Sequence, residues 1–222
     1  MHGFDRPRAS SIVPLMSSEP VRRRVGDGAC VGAGIGILAA CAAVAREGTV
    51  RAPERAVFEA VNGLPDALEG PMHAAQFLGV LAVGPIVALV ALGLRRYRLA
   101  VAAVLVTVMK LGAERVVWQL VERERPGVTE PNAIVRAGSP VSGVSFVSGH
   151  VVLVTGLAMV VTPYLRGRWR ILPWAVVGLV ALARVYLGAH NPLDVVGGLG
   201  LGLAIGGAAN LLAGVPQPEE AG

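Results

Sequence analysis

Three short polar clusters combine residue types that bind phosphate and transfer it. They are Arg125-Pro126, Ser148-Gly149-His150, and the group Arg184, His190 and Asp194. An arginine guanidinium matches two phosphate oxygens at once and stays charged, and a histidine gains or loses a proton near neutral pH. Taken singly, such an arginine or histidine is more simply an interfacial residue among lipid headgroups. The three clusters together predict a phosphate site.

The second cluster is typical of a helix start. Ser148 is the predicted N-cap, and Gly149 leaves the backbone open to close approach by a ligand. The free N–H groups and the dipole at a helix N-terminus favour anions. His150 would then be placed to protonate a leaving oxygen as a general acid.

In the third cluster a carboxylate is spaced to orient an imidazole. Asn191 is the predicted cap of the next helix, and Asp194 falls in its first turn, four residues after His190. The carboxylate can therefore reach one imidazole nitrogen and leave the other free to attack. Arg184, near the end of the preceding helix, would bind the electrophile. The alternative, that Asp194 is only an acid at a helix N-terminus, stays open here.

The elements that must position these clusters are apolar. Hydrophobic residues make up 54% and charged residues 16% of the 222 residues, which is typical of an integral membrane protein. Six stretches are near the roughly 20 residues that cross a hydrocarbon core: 28–45, 74–94, 99–121, 149–165, 171–189 and 192–213. Short gaps between the last four predict one antiparallel bundle. The predicted fold is an all-α, six-helix transmembrane domain over 26–214, between tails at 1–25 and 215–222.

Arginine clusters set the predicted orientation. They lie at 22–24, 95–98 and 166–170, at alternate ends of consecutive spans, and such clusters favour the cytoplasmic side. Both termini are then cytoplasmic and the three polar clusters extracytoplasmic, in a multi-pass cell-membrane protein. The net charge of +5 is explained by this topology, so we do not predict a nucleic-acid partner.

Three other features lead to structural predictions. Residues 54–68 have near-helical apolar spacing, which predicts an interfacial helix broken near Gly63-Leu64-Pro65, as a packing lid or, less simply, a substrate-binding element. Glycines four residues apart predict close packing seams, at Gly28-Gly32-Gly36 and Gly198-Gly202-Gly206. Segment 127–145 is the predicted place of headgroup selection, with Glu130, Asn132 and Arg136.

The chain resembles the type 2 phosphatidic acid phosphatases, or lipid phosphate phosphatases. Their motifs are a lysine followed seven residues later by Arg-Pro, then Pro-Ser-Gly-His, then Ser-Arg with a histidine and an aspartate at fixed spacing. The matching residues here are Arg125-Pro126, Ser148-Gly149-His150, Arg184, His190 and Asp194. The resemblance extends from about residue 50 to 213.

The chain departs from that pattern at three positions. Trp118 stands where the family has lysine, Val147 replaces the proline and Ala183 the serine. The positive charge of that lysine would stabilise the negative charge of the phosphoryl group in the transition state. Arg115 and Arg123 are therefore candidates to bind phosphate in its place. Lys110, four residues before Glu114, is predicted to form an intramembrane pair that is structural rather than a deeper wall of the site.

The resemblance implies a metal-independent hydrolase without a cofactor, acting on a lipid phosphomonoester or diphosphate of the phosphatidate or polyprenyl diphosphate type. His190 would attack phosphorus, Asp194 would orient it and His150 would protonate the leaving group. Arg125, Arg184, Ser148 and the Gly149 amide would bind the phosphoryl oxygens. Two alternatives stay open: a lipid phosphotransferase, and a non-catalytic lipid-phosphate binder or transporter. The sequence predicts no oligomeric state.

Overall fold

Helices make up most of the computed structural model, which describes residues 21–216. The predicted tails before residue 21 and after residue 216, including Glu219-Glu220, lie outside the described residues. The α-helices are α1 (Val25–Ala45), α2 (Ala52–Asn62), α3 (Glu69–Gln76), α4 (Val83–Gly93), α5 (Tyr97–Leu120), α6 (Pro126–Thr129), α7 (Gly149–Val161), α8 (Leu172–Tyr186) and α9 (Pro192–Ala213). Short 3₁₀ turns cover Asp66–Leu68, Phe77–Gly79, Thr162–Tyr164 and Gly167–Ile171.

Each of the six predicted spans contains helix, but the spans are not alike. In the described part of the chain, three helical stretches are long and apolar enough to cross a membrane: Val25–Ala45, Gly167–Tyr186 and Pro192–Ala213. The predicted span 74–94 is not a straight helix, because Asp66–Gly79 and Val83–Gly93 meet at 63°. Counting that bent pair as one span gives up to four. The count of six therefore stays a prediction.

Helix α9 lies between α1 and α7, and glycines allow the close approach. A Cβ at Gly34 of α1 would lie 2.5 Å from the Gly200 carbonyl oxygen of α9, and one at Gly202 would lie 2.5 Å from Thr155 of α7. Gly198 and Gly206 also face α7, which confirms the predicted seam on α9. The other predicted seam is wrong, because α1 buries the face that carries Gly34, and nothing lies within 4 Å of a Cβ at Gly28, Gly32 or Gly36.

Two short strands pair the two ends of the described chain at one end of the bundle. Strand β1 (Val21–Arg22) pairs antiparallel with β2 (Val215–Pro216), so the start of α1 lies beside the end of α9. At the opposite end of α9, α2 and segment 121–148 cover the ends of α5 and α8. The predicted helix of segment 54–68 is present as α2, which ends at Asn62, just before the predicted break; its position at the membrane interface stays a prediction.

Candidate active site

The three polar clusters converge where α5 and α8 end and α7 and α9 begin. The backbone N–H of Ser148 donates to the Asp194 carbonyl oxygen at 3.0 Å, which joins the starts of α7 and α9. Arg125 Nη1 donates to the Ala189 carbonyl oxygen at 2.7 Å, which joins the segment after α5 to the turn before His190. Residues far apart in sequence therefore form one site.

Asp194 both caps α9 and faces His190, so it is more than an acid at a helix N-terminus. Its Oδ2 accepts the Asn191 backbone N–H at 2.8 Å within a capping box. The same oxygen is 3.8 Å from His190 Nδ1, which is an ion-pair distance rather than a hydrogen bond. The Ser145 hydroxyl donates to Oδ2 and lies 3.4 Å from Nδ1, so Ser145 connects the carboxylate to the ring.

His190 is a neutral imidazole at pH 7. Burial lowers its pKa from 6.5 to about 4, against the opposing effect of Asp194, and the charges of Arg184 and Arg125 lower it further. Nδ1 faces the buried carboxylate, so we assign the proton to Nδ1. Nε2 then carries the lone pair that a nucleophile needs.

The Arg123 guanidinium is bound to two carboxylates and is not open to a ligand. Its Nη1 is 3.0 Å from Asp194 Oδ1 and its Nη2 is 2.6 Å from Glu54 Oε2, and its side chain is fully buried. Burial alone would lower the pKa of Arg123, but Glu54 and Asp194 raise it above its usual value. The prediction that Arg123 binds phosphate is therefore corrected, because both ends of its fork are taken by carboxylates.

Arg125 and Arg184, in contrast, bond only neutral groups among residues 21–216. Besides Ala189, Arg125 donates to the Val144 carbonyl oxygen at 3.2 Å. Burial lowers the pKa of Arg125, and the charges of Asp194 and Glu124 oppose that shift. Arg184 Nη1 donates to Gln76 Oε1 at 2.5 Å, and its buried Nε has no partner among the described residues. Both guanidinium groups keep their positive charge available to an anion.

Ser148 and Gly149 begin α7 as predicted, with one difference. Ser148 is the N-cap by position, but its side chain makes no capping hydrogen bond. Its Oγ is fully buried and has no partner in the described part of the chain. A buried hydroxyl without a partner is costly, and an anion bound at the start of α7 would satisfy it.

His150 lies next to Gly79, at the bend between α3 and α4. A Cβ on Gly79 would lie 2.8 Å from the His150 Cβ and 3.1 Å from its Cδ2. The His150 ring interacts electrostatically with four groups of the site: Arg184, His190, Lys110 and Arg125. The predicted general acid therefore lies within electrostatic range of the predicted nucleophile.

Arg115 lies on the outward face of α5. It is exposed on α5 and makes no hydrogen bond or ion pair with the rest of residues 21–216. Trp118, one turn later, is also exposed, at 38%. The structure does not bring Arg115 to the other predicted site residues, because the face of α5 that packs inward carries Lys110, Glu114 and Val117 instead.

Gly188 shapes the turn that delivers His190. Its φ is +70°, and a Cβ there would lie 2.5 Å from the Ile134 carbonyl oxygen. Only glycine combines this backbone conformation with so close an approach. The turn brings the backbone N–H groups of Ala189 and His190 onto the Arg184 carbonyl oxygen, at 3.1 and 3.2 Å.

Two of the predicted headgroup-selecting residues have structural partners instead. Glu130 is buried and accepts from Arg55 Nε at 2.7 Å. Arg136 is buried, stacks 3.7 Å above the Tyr186 ring and donates to the Asn62 carbonyl oxygen at 3.0 Å. That prediction is wrong for both residues, because their charged groups attach segment 127–145 to α2 and α8. Asn132 is exposed.

Three residues of the site were not predicted from the sequence: Ser145, Glu54 and Gln76. Ser145 has no local motif, since it acts only through Asp194, which follows 49 residues later. Glu54 lies on the polar face of α2, where a solvated acid is the ordinary expectation. A signal was available only for Gln76, a polar residue inside a predicted apolar span.

Comparisons with known proteins agree with this arrangement. A family model described as the PAP2 superfamily matches residues 96–214. The lipid A 4'-phosphatase of Porphyromonas gingivalis is 36% identical over 64 residues, which are 28% of this chain and 26% of that protein. The chain thus aligns with about a quarter of that relative.

Two crystal structures share the fold. The Aquifex aeolicus LpxE structure has a TM-score of 0.62 at 21% identity, over 72% of this chain and 95% of the other. The first transmembrane PAP2 type phosphatidylglycerolphosphate phosphatase from Bacillus subtilis has a TM-score of 0.59 at 20% identity, over 80% of this chain and 94% of the other.

Proposed function

Since this chain belongs to the PAP2 superfamily, whose model matches more than half of it, we propose that it is a membrane lipid phosphatase acting through a phosphohistidine on His190. The family membership confirms the resemblance drawn from the three motifs. The observation that carries the proposal is the buried series Arg123, Asp194, Ser145 and His190. This series supports a neutral imidazole with a free Nε2, beside two guanidinium groups that have no carboxylate partner in the described part of the chain.

In the first step, His190 Nε2 forms a bond to phosphorus while the bond from phosphorus to the lipid oxygen breaks. His150 gives its proton to that oxygen. Arg125, Arg184, the Ser148 hydroxyl and the Gly149 amide bind the other phosphoryl oxygens, whose charge they stabilise in the transition state. Ser148 Oγ and Arg184 Nε, which are buried and have no partner in residues 21–216, support this assignment.

In the second step, water attacks phosphorus and the bond from Nε2 to phosphorus breaks. The neutral His150 left by the first step accepts the proton of the water. Asp194, aligned by Arg123 and Ser145, stabilises the positive charge that the His190 ring carries while it is phosphorylated. Inorganic phosphate leaves, and both histidines regain their starting states.

A lipid substrate is supported by an apolar cavity of about 140 Å³ between α4, α7 and α8. Its lining on α7 begins at Val154, one turn after His150, and ends at Val161. Leu78, which also lines the cavity, adjoins Gly79, the neighbour of His150. A cavity along α7 suits an acyl or prenyl chain.

We propose that neither a metal nor another cofactor is needed, because arginines and a helix N-terminus supply the positive field. In residues 21–216 there is no group of three or more His, Cys, Asp or Glu residues that could bind a metal ion. Activity in excess EDTA tests this part of the proposal, and loss of activity that Mg²⁺ or Zn²⁺ restores would contradict it.

The apolar helices and the transmembrane phosphatase among the fold relatives indicate a membrane protein. We propose a multi-pass cell-membrane protein with cytoplasmic termini and an extracytoplasmic site. The support is the antiparallel pairing of β1 with β2, which keeps the two described ends of the chain on one side. Labelling of cysteines placed at Asn132 and Gln217 in intact cells tests it. Only the first is expected to react with an impermeant reagent.

Phosphate release from lipid substrates tests the activity. The purified chain in detergent is assayed on phosphatidate, phosphatidylglycerol phosphate, lipid A 4'-phosphate and polyprenyl diphosphate, with His190→Ala as the blank. We expect release from at least one lipid, inhibition by orthovanadate, and an acid-labile phosphoryl group trapped on the wild type only. Full activity of His190→Ala would rule the mechanism out.

The same assay separates the two alternatives. A phosphotransferase would deliver labelled phosphate to an acceptor lipid rather than to water. A lipid-phosphate binder or transporter would bind the lipid without trapped phosphohistidine, and its transport would survive the loss of His190.

A further inference from the structure

A buried ion pair lies directly behind the start of α7. Lys110 Nζ is 2.5 Å from Glu114 Oε2, and the two side chains are 12% and 8% exposed. A Cβ on Gly149 would overlap Glu114 Oε1 and would lie 3.0 Å from Lys110 Nζ. The pair therefore contacts the first residue of α7, whose amide is a proposed phosphate ligand.

The depth of this pair follows from how α5 and α7 are aligned. The sequence suggested that Lys110 lies too far below the membrane surface to act on a phosphate. Helix α7, however, starts level with Glu114, about two turns below the end of α5. The phosphate site is recessed by the same amount, so Lys110 is at its level.

Neither the residue at the family lysine position nor the arginines near the end of α5 replace the missing lysine charge. Trp118 occupies that position and is exposed, and Arg115 is exposed without a partner among the described residues. Arg123 is bound to Glu54 and Asp194. Lys110 is a cation of α5 that is both buried and in contact with the site.

The Lys110 ammonium has donors to spare. An ammonium group has three N–H donors, and among the described residues Glu114 is the partner of Lys110 in an ion pair. Its charge acts on the His150 imidazole together with the charges of Arg184 and Arg125. An anion on the Gly149 amide would thus be within reach of a second cationic donor from the α5 side.

We propose that Lys110 binds the phosphoryl group of the substrate, and that Glu114 positions its ammonium at the start of α7. Position 118, where the family has lysine, is tryptophan in this chain. Lys110, two turns earlier on the same helix, then supplies the missing positive charge. This inference rests on the proposed phosphatase function and adds a residue to its site.

The test must separate phosphate binding from structural pairing. Lys110→Met alone leaves Glu114 buried and unpaired, which destabilises the protein in either case. The informative variant is therefore Lys110→Met with Glu114→Leu, which removes both charges. Arg96→Met is the matched control, since it removes an exposed cation from the other end of α5.

We expect the double variant to fold with a Tm near that of the wild type and to lose about 100-fold or more in kcat, the usual cost of losing one transition-state donor. Orthovanadate should inhibit it at least about tenfold more weakly, whereas Lys110→Arg, which keeps the charge, should retain most activity. If the double variant turns over within about threefold of the wild type with unchanged vanadate inhibition, Lys110 is only structural.

Failure of the proposed function would look different. In that case the wild type would release no more phosphate than His190→Ala, whatever residue 110 is. Stabilisation of the wild type by orthovanadate, measured as a rise in Tm, then decides the role of Lys110. A rise in the wild type that is lost in the double variant supports binding by Lys110, and equal rises overturn it.

Discussion

Removal of the Arg123 charge should damage both the stability and the chemistry of the site, and the two effects can be separated. Arg123 Nη1 is 3.0 Å from Asp194 Oδ1 and its Nη2 is 2.6 Å from Glu54 Oε2. In Arg123→Met, Asp194 keeps Ser145 and the Asn191 N–H, and Glu54 keeps the Leu193 N–H at 2.9 Å. Both carboxylates lose their counter-charge while they stay buried.

The expected magnitude follows from that burial. Breaking a buried pair by removing one partner costs about 3–5 kcal/mol, which for a chain of this length lowers Tm by about 10 °C. Loss of the hydrogen bond to the charged Asp194, worth about 1.5–3 kcal/mol, lowers kcat about 10- to 100-fold. The second substitution, Glu54→Leu, removes the other uncompensated charge and should recover about 1–3 kcal/mol of stability. It should not recover kcat, because Asp194 still lacks Arg123.

Unfolding in mixed micelles, followed by tryptophan fluorescence, and phosphate release measure the two effects on the same samples. Arg51→Met is the control, because Arg51 and Glu47 form an ion pair of the same 2.6 Å length with side chains 56% and 49% exposed. Exposed pairs are worth about 0–1 kcal/mol. Arg123 does not have this double role if Arg123→Met is no less stable than Arg51→Met, or if Glu54→Leu restores activity along with stability.

Three further changes test the same site. Since the folded pKa of His190, about 4, lies below its ordinary 6.5, the unfolded chain binds the extra proton between these values. The stability that His190 contributes is therefore complete above pH 6.5 and lost as the pH falls to 4, by about 3 kcal/mol relative to His190→Gln in pH-dependent unfolding. An equal pH dependence of the two proteins would contradict this. Gly188→Ala should lower Tm and activity sharply, because of its φ of +70° and a backbone oxygen 2.5 Å from the new Cβ, whereas Gly178→Ala, with nothing within 4 Å, should do neither. Ser145→Ala should lower kcat about 10- to 100-fold with little change in KM; Ser139→Ala is its control, and equal kcat values would remove Ser145 from the site.

Sequence reasoning succeeded where the determinant is local. The spacing of His190, Asn191 and Asp194 fixes a capping box within one turn, so the relation of Asp194 to His190 was predictable. The helix start at Ser148 was predictable for the same reason. The convergence of the helix ends followed from the lengths of the apolar stretches and the short connections between them.

Prediction failed where a residue's role depends on the relative depth of two helices. Arg123 and Arg125 differ by two positions and look equivalent in sequence, yet only Arg123 turns toward Glu54 and Asp194. The contact of Lys110 with the start of α7 was not predictable either, because no local pattern tells how far α7 starts below the end of α5. The same limit explains why Gly34, rather than the regularly spaced glycines of α1, packs on α9.

The pattern of charge pairing explains how the site assigns different tasks to its cations. Arg123 is bound to two carboxylates, so its charge is neutralised locally and serves to fix Asp194. Within the described residues, Arg125 and Arg184 bond only carbonyl and amide oxygens, so their charge remains for an anion.

Lys110 stands between these cases. Glu114, its one carboxylate partner among the described residues, neutralises most of its field, and only a ligand within hydrogen-bond distance would use its remaining donors. The effect of Lys110 should therefore depend steeply on distance and favour a phosphoryl group that is fully seated on the Gly149 amide. By contrast, Arg125 and Arg184 would attract any anion that approaches. In the proposed mechanism, two arginines would bind the phosphate and one lysine would select its reactive position.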